Sequence, residues 1–217
     1  MDDIANDPGL VLNAFWVTIQ LAVLSGLASL VLGTLLAAMR VGPVGVLAKF
    51  GTVYVSVVRN TPLLVIFVLV FIAAPTLDLL VKTPFLVKGV VALTIYTSAF
   101  VCEAIRSGIN SVSLGQAEAA RAIGLTFGAT MSQVVLPQAF RATVPPLASV
   151  LIALAKNTSV AAAFGLTEAT SRMRGLTNNN ADDRWLIFMT FAIGYIIIVE
   201  VMSAGAITLE RRWRVSR

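Results

Sequence analysis

"GQAEAARAIGLTFGATMSQVVLP", residues 115–137, is a polar interruption in a chain otherwise built of long apolar runs. Residues 116–123 are mostly helix formers, and Glu118 and Arg121 stand one turn apart, where opposite charges pair across a helix surface. Gly124 follows, the residue type that ends a helix in a left-handed conformation. A second short helix is expected over about 126–135. It should stop at Pro137, which lacks the donor a helix interior needs. The stretch therefore predicts a helix–turn–helix with the small residues Ala119, Ala120 and Ala122 on its first arm. Such a face can press closely into a groove on another protein. An ordinary surface loop with a solvated Glu–Arg pair is the plainer alternative.

Composition places this stretch in a membrane protein. The 217 residues are 58% hydrophobic and 12% charged, about half the ~25% charged residues of a soluble domain. Mean hydropathy is +0.89. Crossing a ~30 Å hydrocarbon core takes about 20 helical residues, and five segments meet that need: 14–39, 50–74, 87–107, 144–164 and 185–208. The expected organisation is an external segment 1–13, a five-helix domain 14–208 holding the polar segment 108–143, and a basic tail 209–217. A single cysteine, Cys102, excludes an internal disulfide, and the absence of histidine excludes His-based metal sites and general bases. "MDDIANDPGL" is acidic where a signal peptide is basic, so the first apolar helix is expected to be retained.

Five spans put the termini on opposite sides. With the N-terminus outside, the cytoplasmic pieces hold Arg40, Lys49, Arg106, Arg121, Arg141, Arg211, Arg212, Arg214 and Arg217. The external pieces hold only Lys82, Lys88, Arg172, Arg174 and Arg184. Orientation follows this Lys/Arg bias, so the expectation is N-terminus out and C-terminus in, with the segment 108–143 in the cytoplasm. The basic residues are scattered between apolar runs, which argues against a nucleic-acid partner. Ser25, Ser29, Gly33 and Ala37 recur every four residues in the first span, a stripe that lets two helices approach closely.

The polar segment resembles the EAA motif of binding-protein-dependent ABC importer permeases. That motif is E-A-A, three residues, Gly, nine residues, a branched aliphatic, one residue, then Leu-Pro; here the positions are Glu118, Ala119, Ala120, Gly124, Val134, Leu136 and Pro137. Val134 replaces the commoner Ile. The resemblance implies an all-α integral membrane fold of the type I importer (MetI-like) class in a bacterial cytoplasmic membrane. It also implies that Glu118, Ala119, Ala120, Arg121, Gly124, Leu136 and Pro137 dock into an ATPase subunit present in two copies. No stretch has the G-x-x-x-x-G-K-[ST] spacing that cradles phosphates. The chain is therefore expected to be a non-catalytic subunit without a cofactor of its own, ATP and Mg²⁺ residing on the partner. A second permease subunit, a different chain in the nearest resemblance, and an extracellular solute-binding protein complete the implied complex. "VRNTPLL" (58–64), "YTSAFVCEAIRSGINSV" (96–112) and "LAKNTSVAAAFGLTE" (154–168) are similar to polar amino-acid permeases, most of all to actinobacterial glutamate permease subunits. Glutamine, aspartate, arginine or histidine are the alternative substrates. The rival classes are a secondary transporter, which should show inverted repeats that are not seen here, and a membrane scaffold.

Arg59 and Lys156 fall inside spans, where a charge costs roughly 2.5–3.5 kcal/mol unless it has a partner or a watery cavity. Pro62 breaks the helix beside Arg59 and disfavours helix at Thr61. "KNTS" offers Lys156, Asn157, Thr158 and Ser159 as a cation with several donors. A zwitterionic or dianionic amino acid needs such groups, so Arg59, Thr61, Lys156, Asn157, Thr158 and Ser159 are expected along the substrate path. Snorkelling of the two cations, or structural pairing with Glu103 or Glu200, is the alternative. Glu103 and Arg106, one turn apart near the end of the third span, are expected to act as a gate or as an interface pair.

Overall fold

The computed structural model describes residues 9–213, and the side chains of residues 212 and 213 are not among the features described. Of the expected external segment 1–13 and basic tail 209–217, residues 1–8 and 214–217 lie outside that range. The described chain is all-helical: α1 (Gly9–Val41), α2 (Gly45–Arg59), α3 (Leu63–Thr76), α4 (Phe85–Asn110), α5 (Leu114–Ala122), α6 (Phe127–Phe164), α7 (Ala169–Asn179) and α8 (Arg184–Trp213). By length and apolarity α1, α4, α6 and α8 each suffice to cross a membrane. The bent pair α2–α3 makes up to a fifth span.

The expected span 50–74 is thus not one rod. Its two halves meet at 103° across residues 60–62. Pro62 cannot donate, so the helical ladder at the end of α2 is cut short, its last backbone bonds running from the Asn60 N–H to the Ser56 carbonyl at 3.3 Å and from the Thr61 N–H to that of Val58 at 3.2 Å. Side chains complete this end: Thr61 Oγ1 donates to the Val57 carbonyl at 2.8 Å, and Asn60 Nδ2 adds a second bond to the Ser56 carbonyl at 2.7 Å. The expected stop at Pro137 does not occur either. A π-helical turn over Met131–Val135 precedes it, and the helix runs on through Pro137, Pro145 and Pro146 to Asn157. The wide turn offsets the hydrogen-bond ladder, so a residue without an N–H is accommodated just after it. From Thr158 to Phe164 the helix tightens to 3-10 geometry and ends at Gly165.

The core lies where α1 and α4 cross, with α6 packed along α4 and touching α1 near Gly26. Ser25, Ser29, Gly33 and Ala37 are all buried in α1, so the small-residue stripe is its packing face. At Gly33 a β-carbon would stand 2.5 Å from Val101 Cγ1 and 2.8 Å from the Ser98 carbonyl of α4, closer than any side chain tolerates. Phe67, Leu21, Leu93, Cys102 and Leu154 fill the centre. The polar stretch 168–184 is largely the helix α7, which with α1 and α8 encloses a smaller core of Ala14, Ala169, Leu176, Ile187 and Phe191.

Candidate functional site: an exposed knob and a polar path

Three turn residues, 111–113, join α4 to α5, and α5 ends in a compact knob. Gly124 has φ +92°, the left-handed cap expected of it. Its N–H donates to the Arg121 carbonyl at 3.0 Å, and the Leu125 N–H to that of Ala120 at 3.1 Å. Those two bonds form a Schellman end, which closes the orphan carbonyls without a side chain. Thr126 Oγ1 then caps the start of α6 by accepting from the Ala129 N–H at 3.3 Å. A side-chain amide pair ties the knob to α6, Gln138 Nε2 donating to Gln116 Oε1.

Most of this knob projects away from the bundle. Ala120 is buried, whereas Glu118, Ala119, Arg121, Ala122, Leu136 and Pro137 are exposed. Among the described residues no ion pair joins Glu118 to Arg121. Leu114 (80% exposed), Ile123 (81%) and Phe127 (61%) add uncovered apolar surface to the same knob. An apolar patch rimmed by polar groups marks an interaction face.

Nearer the bundle, Glu103 gathers three arginines. Arg40 of α1 donates through Nη1 to Oε1, Arg106 of α4, the helix of Glu103 itself, through Nη2 to Oε2 at 3.2 Å, and Arg59 Nη1 of α2 stands 3.6 Å from Oε1. The expected Glu103–Arg106 pair is present, together with Arg40, which the sequence marks only as a loop cation. A cavity of about 410 Å³ opens beside this cluster, lined by Arg40, Thr52, Ser56, Arg59, Asn60 and Glu103, with Phe100 as one wall. The Arg59 guanidinium lies over the Phe100 ring, 5.7 Å from its centre. Phe100 also lines a second cavity of about 200 Å³, whose polar groups come from Tyr96, Thr97, Ser149 and Asn157. Thr97 is 2% exposed, and its Oγ1 has no hydrogen-bond partner among the described residues.

The "KNTS" residues are not brought together. Asn157 faces the Thr97 cavity, while Lys156 and Ser159 line a separate groove of about 480 Å³ against α8, shared with Glu200 and Tyr195. Thr158 is fully buried and donates to the Ala155 carbonyl at 2.7 Å. Thr61 is taken up in capping α2. Lys156 and Glu200 form no ion pair among the described residues.

A buried carboxylate at the other end of the bundle has no counterpart in the sequence reading. Glu168 is fully buried and caps α7 by accepting from the backbone N–H of Thr170 at 3.0 Å and of Ser171 at 2.9 Å. It further accepts from Tyr195 Oη of α8 at 2.8 Å and from Thr18 Oγ1 of α1 at 3.4 Å, and so ties three helices. Met173 and Leu176, three residues apart in a polar run, are the available signal for α7, and nothing local marks Glu168 as its cap. Burial pushes the Glu168 carboxyl above its ordinary range, against the four hydrogen bonds that pull it down. A raised acid pKa means the folded state holds the proton more tightly than the unfolded chain. Its contribution is therefore most favourable at low pH and is lost as pH rises through the acid range. The melting temperature of the wild type minus that of Glu168→Gln should accordingly increase as pH falls from 7 to about 5. A difference that shrinks over that range would show the carboxylate, not the acid, to be the stabilising form.

The sequence and the fold match known proteins over nearly the whole chain. The family model described as "binding-protein-dependent transport system inner membrane component" matches residues 29–214. The glutamate transport system permease protein GluC of Corynebacterium glutamicum is 42% identical over 217 residues, covering 95% of each chain. The probable glutamine ABC transporter permease protein GlnM of Bacillus subtilis is 36% identical over 203 residues, covering 93% of this chain and 92% of its own. Among solved structures, a chain from a crystal structure of an amino acid ABC transporter with histidines superposes with a TM-score of 0.89 at 27% identity, over 97% of both chains. The inward-facing MetNI methionine ABC transporter matches at a TM-score of 0.80 and 22% identity, over 97% and 99%, which supports the fold alone. A family model over residues 29–214 and a relative 42% identical over 95% of its length decide the matter: the chain belongs to the family of binding-protein-dependent transport system inner membrane components.

Proposed function

We propose that this chain forms the translocation path of an ATP-driven importer of a polar amino acid, with L-glutamate as the substrate. The observation that carries the coupling half is the knob of α5, which is exposed, capped by its own backbone and joined by three residues to a spanning helix. Movement of a partner bound there reaches the membrane through α4 with little slack. The partner is a pair of ATPase subunits. A second permease, of a different sequence, faces this one across the path, and a solute-binding protein delivers substrate from outside. The Lys/Arg bias supports an external N-terminus and a cytoplasmic knob.

The substrate half rests on the two cavities that share Phe100. A carboxylate is best held by Arg and by hydroxyl and amide donors, and Arg59, Thr97 and Asn157 offer that set. The permease breaks no covalent bond. It shifts between states because its partners contact those states differently. L-Glutamate is favoured over glutamine by the arginine-rich cavity and by the 42% identity to a glutamate permease.

The test is uptake by proteoliposomes holding the permeases and ATPase, with binding protein outside and ATP inside. ATP-dependent accumulation of L-glutamate, absent without ATPase, is the expected result. Accumulation that persists without the ATPase would refute the proposal in favour of a secondary transporter.

A further inference from the structure

Three guanidinium groups and one carboxylate meet where α1, α2 and α4 converge, leaving two positive charges over. Arg40 and Arg106 belong to the ends of their helices, but Arg59 falls inside a span, where a cation needs a watery cavity or an anion to balance it. The cavity is there, about 410 Å³, and Arg40 and Arg59 both line it. Their attachments differ. The Arg40 side chain is 11% exposed and bound directly to Glu103, whereas that of Arg59 is 45% exposed and reaches the carboxylate only at 3.6 Å. Both oxygens of Glu103 are already occupied, Oε1 by Arg40 and Oε2 by Arg106. Arg59 is therefore the cation of the cluster least satisfied by the protein, and it lies against Phe100, the wall that divides the two cavities.

We propose that this cluster is a carboxylate-exchange site: a carboxylate of the transported amino acid binds Arg59 in this cavity, and Glu103 is the internal anion that competes with it. The inference rests on the import function proposed above and adds a residue with a negative role. Glu103 holds Arg59 when the path is empty and yields it when substrate arrives. The exchange is linked to the knob by the chain itself. α4 carries Glu103 and continues to Asn110, and only residues 111–113 separate it from α5. A shift of the docked helix thus changes how closely Glu103 approaches the arginine. Competing for one guanidinium costs the substrate affinity in one state and returns it in the other, which gives the differential binding that directional transport requires.

The experiment measures equilibrium binding of radiolabelled L-glutamate to the purified permease–ATPase complex without binding protein. Glu103→Gln keeps the side chain's shape but removes the competing charge, and should tighten binding about tenfold. Arg59→Gln should weaken it at least tenfold, and the double variant should resemble Arg59→Gln. If Glu103 merely held the helices together, Glu103→Gln would weaken binding instead, and that result overturns the exchange. So does unchanged affinity in both single variants with the ATPase still bound. If Glu103→Gln fails to assemble, Glu103→Asp takes its place: the shorter acid keeps the charge but withdraws it from Arg59, so tighter binding sustains the exchange and unchanged or weaker binding refutes it. Uptake by wild-type proteoliposomes separates the two levels. A wild type that imports no L-glutamate overturns the proposed substrate and the exchange with it. A wild type that imports it, while the variants bind unchanged, overturns the exchange only.

Discussion

Glu118→Lys and Gly124→Val are each expected to reduce ATP-dependent uptake below a tenth of wild type while leaving the membrane bundle intact. Glu118 is exposed on the first arm of the knob, so its reversal disturbs no internal contact and acts only on what docks there. A charge of the wrong sign facing a partner suppresses binding strongly. The ATPase should therefore fail to co-purify with Glu118→Lys. Gly124→Val works through the backbone. Nothing lies within 4 Å of where a β-carbon would stand, but φ is +92°, where a β-branched residue is a severe outlier. The Schellman bonds to Arg121 and Ala120 should open, and the last turn of α5 should lose its direction. Gly124→Ala should be milder, and Gly124→Asn milder still because Asn tolerates the left-handed region. Uptake at the wild-type rate by Gly124→Val would mean that the shape of this turn is irrelevant to coupling.

The second large effect concerns Thr97 and Asn157. Thr97→Val is nearly isosteric and removes a buried hydroxyl that has no partner among the described residues. Deleting an unpaired buried donor is neutral or stabilising for the fold. If that hydroxyl serves the substrate, its loss is felt in transport instead: a hydrogen bond to a charged group contributes about 1.5–3 kcal/mol, or roughly tenfold to a hundredfold in apparent affinity. Asn157→Leu should cost as much or more, because the cavity loses both a donor and an acceptor. The expected pattern is a raised apparent KM with an unchanged or higher melting temperature for Thr97→Val. A lowered melting temperature with unchanged KM would assign the hydroxyl to the fold.

Much of the fold is legible in the amino-acid sequence alone. Lengths of apolar sequence locate the spans, and the four-residue spacing of Ser25, Ser29, Gly33 and Ala37 picks out the packing face of α1. Gly124 announces its own conformation because a left-handed turn is where glycine has the advantage over every other residue. Other features depend on groups that only folding brings together. Arg40 and Glu103 are 63 residues apart, and no local pattern links them. The 103° bend needs more than Pro62, since a proline can also pass through a helix, as Pro145 and Pro146 do in α6. Grouping Lys156 with Asn157 treats neighbours in sequence as neighbours in space. Successive helical residues point about 100° apart, and that angle sends Asn157 toward α4 and Lys156 toward α8. Glu168 escapes notice because a glutamate in a polar stretch looks solvated until three helices close around it.

The central claim is that the knob of α5 seats in the ATPase on the cytoplasmic side. A photo-crosslinking residue in place of Ile123, 81% exposed at the tip, tests it directly in intact cells. Irradiation should give one adduct whose second component is the ATPase subunit, and the adduct should vanish when Glu118→Lys is added. Labelling of the same position by a membrane-impermeant reagent from outside the cell, with no adduct to the ATPase, would contradict the account.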